Sequence, residues 1–127
     1  MKNNQSKVIR EQAPRSTTRE HSVPLYLTSS FIFDDAEQGR AIFAEEEQGM
    51  VYSRYANPNT SELINRVCRL EHAEAGLSFA SGMAAVFASF ASYLRNGDHI
   101  VSSRAIFGST HQLITQLFPR WGVTYTY

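Results

Sequence analysis

The sequence predicts an α/β chain with a parallel sheet, preceded by an extended N-terminal arm. Three observations carry that prediction. The second half alternates helical apolar stripes with short β-prone runs, and strands that alternate with helices pair in parallel through right-handed crossovers. Breakers punctuate the switches: Gly76, Ser81-Gly82, Asn96-Gly97 and Pro119. The first half lacks this alternation and is in turn polar, extended and loop-rich. The division falls between residues 58 and 59. Residues 1–58 form the arm, a short helix and a loop; residues 59–127 begin the α/β domain.

Residues 1–22 are polar and carry the breaker Pro14. Pro24 opens the β-prone run Leu25–Phe33, which reads as an arm lying across another surface. Asp34, with Glu37 three residues on, predicts a capped helix start. Ala36, Ile42 and Phe43 give that helix a weak apolar stripe, Glu45-Glu46-Glu47 form a solvated face, and Gly49 ends it. Met50–Pro58 is a loop. Asn59 and Glu62 predict a second capped start, with Leu63, Ile64, Val67 and Leu70 as the apolar stripe and Gly76 as the C-terminal stop. Leu77–Ala80 is predicted as a strand, Ser81-Gly82 as a tight turn, and Met83–Leu94 as a helix apolar nearly all round and therefore buried on several sides. A strand over Asp98–Ser103, a loop to Ser109, a helix over Thr110–Phe118 and a strand from Val123 to Tyr127 follow. The last strand has no covering helix, whereas parallel sheets are covered on both faces, so the chain reads as the front of a longer domain.

Composition excludes several classes. Lys+Arg and Asp+Glu each number 12 in 127 residues, so no net charge marks a nucleic-acid or anionic-membrane partner. The first twenty residues hold no apolar signal region, and the apolar stretch Ala84–Leu94 is far short of a membrane span. A cytoplasmic protein is expected. Cys68 is the only cysteine, which leaves no intrachain disulfide and no zinc knuckle. His21, His72, His99 and His111 share no metal-ligand spacing, and no metal site is expected. The lysines are Lys2 and Lys7, both in the polar leader.

Three loops carry candidate chemistry. At Ser81-Gly82-Met83, a glycine opening a helix lets a ligand approach the backbone, where free N–H groups and the positive helix end suit a phosphate. Ser81 adds a hydroxyl; the bland alternative is a tight βα turn. The segment is not a dinucleotide fingerprint, a P-loop or a nucleophile elbow, since the required glycines and lysine are absent. In the loop Tyr52-Ser53-Arg54-Tyr55-Ala56-Asn57-Pro58, Arg54 offers paired donors to a phosphate or carboxylate and Tyr52 a hydroxyl, against a surface loop with a stacked arginine. Phe107 follows the carboxyl end of a predicted strand, the edge where open α/β sheets bind ligands, and can stack on a planar ring or pack in the core.

Val51-Tyr52-Ser53-Arg54 with Asn57-Pro58, then Ala80-Ser81-Gly82-Met83-Ala84-Ala85, then Phe107-Gly108-Ser109-Thr110 together resemble the pyridoxal-phosphate (PLP) enzymes of cysteine and methionine metabolism. The resemblance runs from about Thr18 to Tyr127 and corresponds to the first third of a family member. It implies the start of the fold-type I PLP-dependent transferase large domain behind an N-terminal arm. It implies that Gly82 and Met83 hold the cofactor phosphate through their amides, flanked by Ser81. Phe107 would stack on the pyridine ring, and Tyr52 and Arg54 would reach the cofactor of a neighbouring subunit in a dimer of dimers. Many members carry Tyr where this chain has Phe107, and Phe handles no proton. That motif, with Glu20-His21-Ser22-Val23-Pro24 and Leu27-Thr28-Ser29-Ser30-Phe31, is most similar to the O-succinylhomoserine sulfhydrylase branch. The implied substrates are an O-acylhomoserine and sulfide; cystathionine γ-synthase and γ-lyase are the alternatives within the family. In this family the lysine that anchors the cofactor lies later in the chain, and neither Lys2 nor Lys7 matches a family motif. These residues alone are therefore expected to be inactive, and a non-catalytic chain that pairs with full-length subunits is the alternative of another class.

Overall fold

The computed structural model describes Ser6, Ile9 and residues 15–127. Lys2, Lys7 and Pro14 of the polar leader lie outside the described residues. The chain divides into two units, one ending at Ser78 and the other beginning at Phe79.

In the first unit the arm runs from Pro24 to Phe33 without regular secondary structure, apart from an antiparallel bridge between Ser30 and Tyr52. Helix α1 (Ala36–Phe43) follows. Its cap is Asp35, one residue later than predicted: the Asp35 carboxylate accepts the Gln38 N–H at 2.8 Å, and Gln38 Oε1 accepts the Asp34 N–H at 2.7 Å. Gln38 takes the place assigned to Glu37, and it reaches back to the N–H of Asp34, the residue before the cap, instead of to the cap's own N–H. Gly39 is buried because a Cβ there would meet the Phe33 ring at 3.2 Å; Phe33 also meets Phe43 edge to face at 6.1 Å.

Helix α2 (Pro58–Glu71) is capped by Asn57 with Pro58 at its first position, where the missing N–H costs nothing. The predicted cap Asn59 is instead inside the helix. The helix ends at His72 in a left-handed conformation (φ 55°), not at Gly76. The apolar stripe exists but is only partly covered: Leu63, Val67 and Leu70 are exposed, while Ile64 and the Glu62–Arg66 ion pair are half-buried. The 3.6-residue period reports an amphipathic helix and does not report which neighbour covers it.

The second unit begins with an irregular segment and helix α3 (Gly82–Tyr93). The predicted strand at Leu77–Ala80 is absent. A strand exists through its ladder, and these residues have no backbone partner among the described residues. Strand β1 (His99–Val101) pairs with β2 (Thr124–Thr126) in parallel, with Ile100 opposite Tyr125. The parallel sheet is therefore two-stranded here. Between the strands the predicted single helix starts two residues early as α4 (Gly108–Gln112), widens into a π-helical turn over Leu113–Leu117, and tightens to a 3₁₀ turn over Phe118–Trp121. Thr115 Oγ1 donates to the His111 carbonyl at 2.8 Å, and Pro119 has no N–H to give to the preceding turn; both loosen the α ladder. Gly122 then turns the chain into β2 at φ 77°, where a side chain would collide with the Asn96 amide.

The core of this unit is Ile100, Ile114, Phe118 and Val123, lined by Phe87, Phe90 and Leu94. Phe118 is fully buried and lies 5.5 Å from the ring of Phe90 and 5.5 Å from that of Trp121. Helix α3 contributes one face and has no fully buried residue, unlike the all-round burial its composition predicts. Among the described residues no helix is long and apolar enough to cross a membrane.

Candidate functional site

Ser81 starts α3 from an extended conformation (φ −152°, ψ 156°). Its Oγ accepts the Ala84 N–H at 3.2 Å and its carbonyl accepts the Ala85 N–H at 3.1 Å. The first-turn N–H groups of Gly82 and Met83 have no acceptor among the described residues, as the geometry of a helix start requires. A Cβ built on Gly82 would meet nothing within 4 Å, so the space beside the Gly82 Cα is open among the described residues. Two amides, a serine hydroxyl proton and the positive helix end make a donor set for an anion.

Met83 also borders an open groove of about 380 Å³, with Ser109 on α4, the π-helical turn, and Arg120 at the far end. No carboxylate lines it. Phe107 sits at the position preceding α4 and is 69% exposed, so it is not core. Its carbonyl accepts the His111 N–H at 3.0 Å. One turn on, the His111 ring stacks on Tyr127 at 5.4 Å, and its Nδ1 is 2.7 Å from the Tyr127 hydroxyl. Phe107 and Tyr127 follow the carboxyl ends of β1 and β2, the ligand edge of a parallel sheet. No motif or spacing signals the His111–Tyr127 pair.

In the first unit, Tyr52–Tyr55 is a tight turn closed by the Tyr55 N–H to the Tyr52 carbonyl at 2.9 Å. Arg54 at its tip is exposed and carries its guanidinium 5.1 Å from the Tyr52 ring and 5.4 Å from the Tyr55 ring. Stacking of this kind holds a guanidinium in place while its N–H edge stays free to donate. The turn rests on Asn57, a buried polar side chain whose role the sequence reading missed. Asparagine just before a proline that opens an apolar-periodic helix was the available signal.

The profile of the family described as Cys/Met metabolism PLP-dependent enzyme matches residues 5–127. An L-methionine gamma-lyase of Fusobacterium nucleatum is 42% identical over 106 residues, covering 84% of this chain and 27% of the relative. An O-succinylhomoserine sulfhydrylase of Pseudomonas aeruginosa is 40% identical over 119 residues, covering 94% of this chain and 30% of the relative. A crystal structure of a protein assigned as O-acetylhomoserine (thiol)-lyase from Campylobacter jejuni, which carries a pyridoxyl-lysine phosphate, superposes with a TM-score of 0.89 at 31% identity over 97% of this chain and 30% of that one. The chain thus spans 27–30% of the length of these relatives. The motifs, the parallel α/β unit and the profile match agree, and the chain belongs to the family of PLP-dependent enzymes of cysteine and methionine metabolism.

Proposed function

We propose that this chain is the N-terminal part of a PLP-dependent homoserine-ester sulfhydrylase, which replaces the succinyl group of O-succinylhomoserine with sulfide to give homocysteine in methionine biosynthesis. Residues 1–58 serve as its arm and cofactor-reaching loop, and residues 59–127 begin its PLP-binding domain. The observation that carries the branch is Phe107: an exposed ring at the ligand edge of the sheet, able to stack but without a hydroxyl to move a proton.

The residues fit the cofactor's phosphate. Gly82 leaves the space that a Cβ would fill, and the donor set at the start of α3 holds no carboxylate. Gly82 and Met83 donate their amides, Ser81 donates its hydroxyl proton, and Phe107 covers the ring. Tyr52 and Arg54 reach toward the phosphate in a neighbouring subunit, within a dimer of dimers. When bound, PLP supplies an electron sink for bond cleavage at the substrate. The protein works in the cytoplasm. Residues 1–127 alone are inactive, since Lys2 and Lys7 stand outside the family's motifs and a lysine is needed to anchor the cofactor.

A γ-lyase is the second reading, favoured by the 42% identity to the Fusobacterium enzyme. The test is to express the complete reading frame, load it with PLP, and compare homocysteine formation from O-succinylhomoserine and sulfide with α-keto acid release from methionine. Faster turnover of the ester supports the sulfhydrylase. Methionine cleavage without ester turnover replaces it with the lyase.

A further inference from the structure

We infer that Asn57 is a positioning residue for the Tyr52–Arg54 turn and thereby sets how tightly the protein holds a phosphate group. This inference rests on the reading of Tyr52 and Arg54 as phosphate-reaching residues. Asn57 is 8% exposed, and its amide has all its partners within the first unit. Its Oδ1 accepts the Asn59 N–H at 2.9 Å and caps α2. Its Nδ2 donates to the Tyr26 carbonyl at 3.0 Å and to Ser53 Oγ at 3.0 Å. Ser53 in turn donates its hydroxyl to the Thr28 carbonyl and its N–H to the Ser29 carbonyl at 2.9 Å. One amide group therefore joins the helix start, the arm and the residue next to Arg54.

Asn59 extends the clamp. Its Oδ1 accepts the Tyr26 N–H at 2.8 Å and its Nδ2 donates to the Pro24 carbonyl at 2.7 Å, the pair of bonds a neighbouring strand would make. Together the two asparagines pin an arm that is also held by the Ser30–Tyr52 bridge and by the Ser53 hydroxyl on the Thr28 carbonyl. A buried amide with every bond made fixes a single arrangement, and a partly satisfied one does not. Arg54 needs that support because it makes no ion pair among the described residues; its place is set by the turn and two rings.

The variant Asn57→Asp separates cap from clamp, since an Asp side chain still caps α2 but cannot donate to Tyr26 or Ser53. In the PLP-loaded protein from the complete reading frame, this variant is expected to bind PLP about tenfold more weakly, the scale of one or two lost hydrogen bonds. Its affinity for pyridoxal, which lacks the phosphate, is expected to stay unchanged. Hydrogen exchange should quicken in peptides covering residues 24–31 and 51–57 and hold steady in α2. Ser53→Ala removes one partner of the amide without touching the cap and should give a smaller loss of the same selectivity. Arg54→Ala alone should weaken PLP, and adding Asn57→Asp to it should cost nothing more. If Arg54→Ala weakens PLP while Asn57→Asp is silent, additive, or equally damaging to pyridoxal, the positioning role is wrong. If Arg54→Ala leaves PLP affinity unchanged, the phosphate-reaching reading fails and takes this one with it.

Discussion

Replacing Gly82 with alanine should move stability and cofactor binding in opposite directions. A methyl on Gly82 meets nothing within 4 Å, and its backbone lies outside the positive-φ positions, which among the described glycines are Gly97 and Gly122. Alanine therefore fits the helix start without strain, and the loss of unfolded-state freedom should stabilise the apoprotein by about 0.4–1 kcal/mol. A phosphate held at the free amides of Gly82 and Met83, as proposed, would meet that methyl as it approaches the backbone. An anion at a helix N-terminus gains about 0.3–1 kcal/mol, and up to about 2 when partly buried. Losing the upper part of that range weakens binding by roughly ten- to thirtyfold. The assay pairs a denaturant titration of the apoprotein with a PLP titration followed by absorbance, both on the product of the complete reading frame. Undiminished PLP affinity in Gly82→Ala would show that the phosphate does not approach this backbone. A clear loss of apoprotein stability would show that the space before Gly82 is not open.

Two further perturbations test the framework around the site. Phe118→Ala removes a fully buried ring packed against Phe87, Phe90 and Trp121, and should cost about 3–5 kcal/mol in chemical denaturation; a loss below about 1 would mean that this core is not packed as described. Glu20 is lowered from its ordinary 4.5 to about 2 by the Ser16 hydroxyl first, then by the Ser16 N–H and the Thr18 hydroxyl. A depressed carboxyl stabilises the folded form above pH 4.5 and loses that contribution as pH falls through about 2. Carbon-detected titration of the Glu20 carboxyl should find that midpoint, Ser16→Ala should raise it, and a wild-type value near 4.5 would refute the turn.

The sequence exposed what short-range chemistry decides and concealed what depends on a neighbour. Parallel pairing of His99–Val101 with Thr124–Thr126 was legible because alternation and right-handed crossover leave few other topologies. The helix beginning at Gly82 was legible from Ser81-Gly82 and the apolar run behind it. Leu77–Ala80 misled because β propensity makes no strand without a ladder. Leu63, Ile64, Val67 and Leu70 marked their helix correctly, but a stripe does not name its cover, and three of the four are exposed. The π-helical turn was hidden, since its causes, the Thr115 back-bond and Pro119, act through the ladder register and not through periodicity. Ser81, Gly82, Met83 and Phe107 were singled out by local pattern, while the support that Asn57 gives the Tyr52–Tyr55 turn was not, although Asn57 is the buried polar residue among those described.

Asn57 and Ser81 show a common device. Each caps a helix, and each has polar capacity left after the cap is made. Asn57 uses Oδ1 on the Asn59 N–H and keeps Nδ2 for the arm and Ser53; Ser81 uses its oxygen on the Ala84 N–H and keeps a hydroxyl proton. Capping alone would be satisfied by any of several small polar residues. The surplus donor narrows the choice: Asp caps but cannot donate, and Gly neither caps with a side chain nor donates from one. Asn57 thus answers two demands at once, and under the proposed phosphate role Ser81 does too; conservative replacements separate the demands. Where a substitution keeps the helix start and removes only the surplus donor, any loss in phosphate binding belongs to the donor and not to the fold.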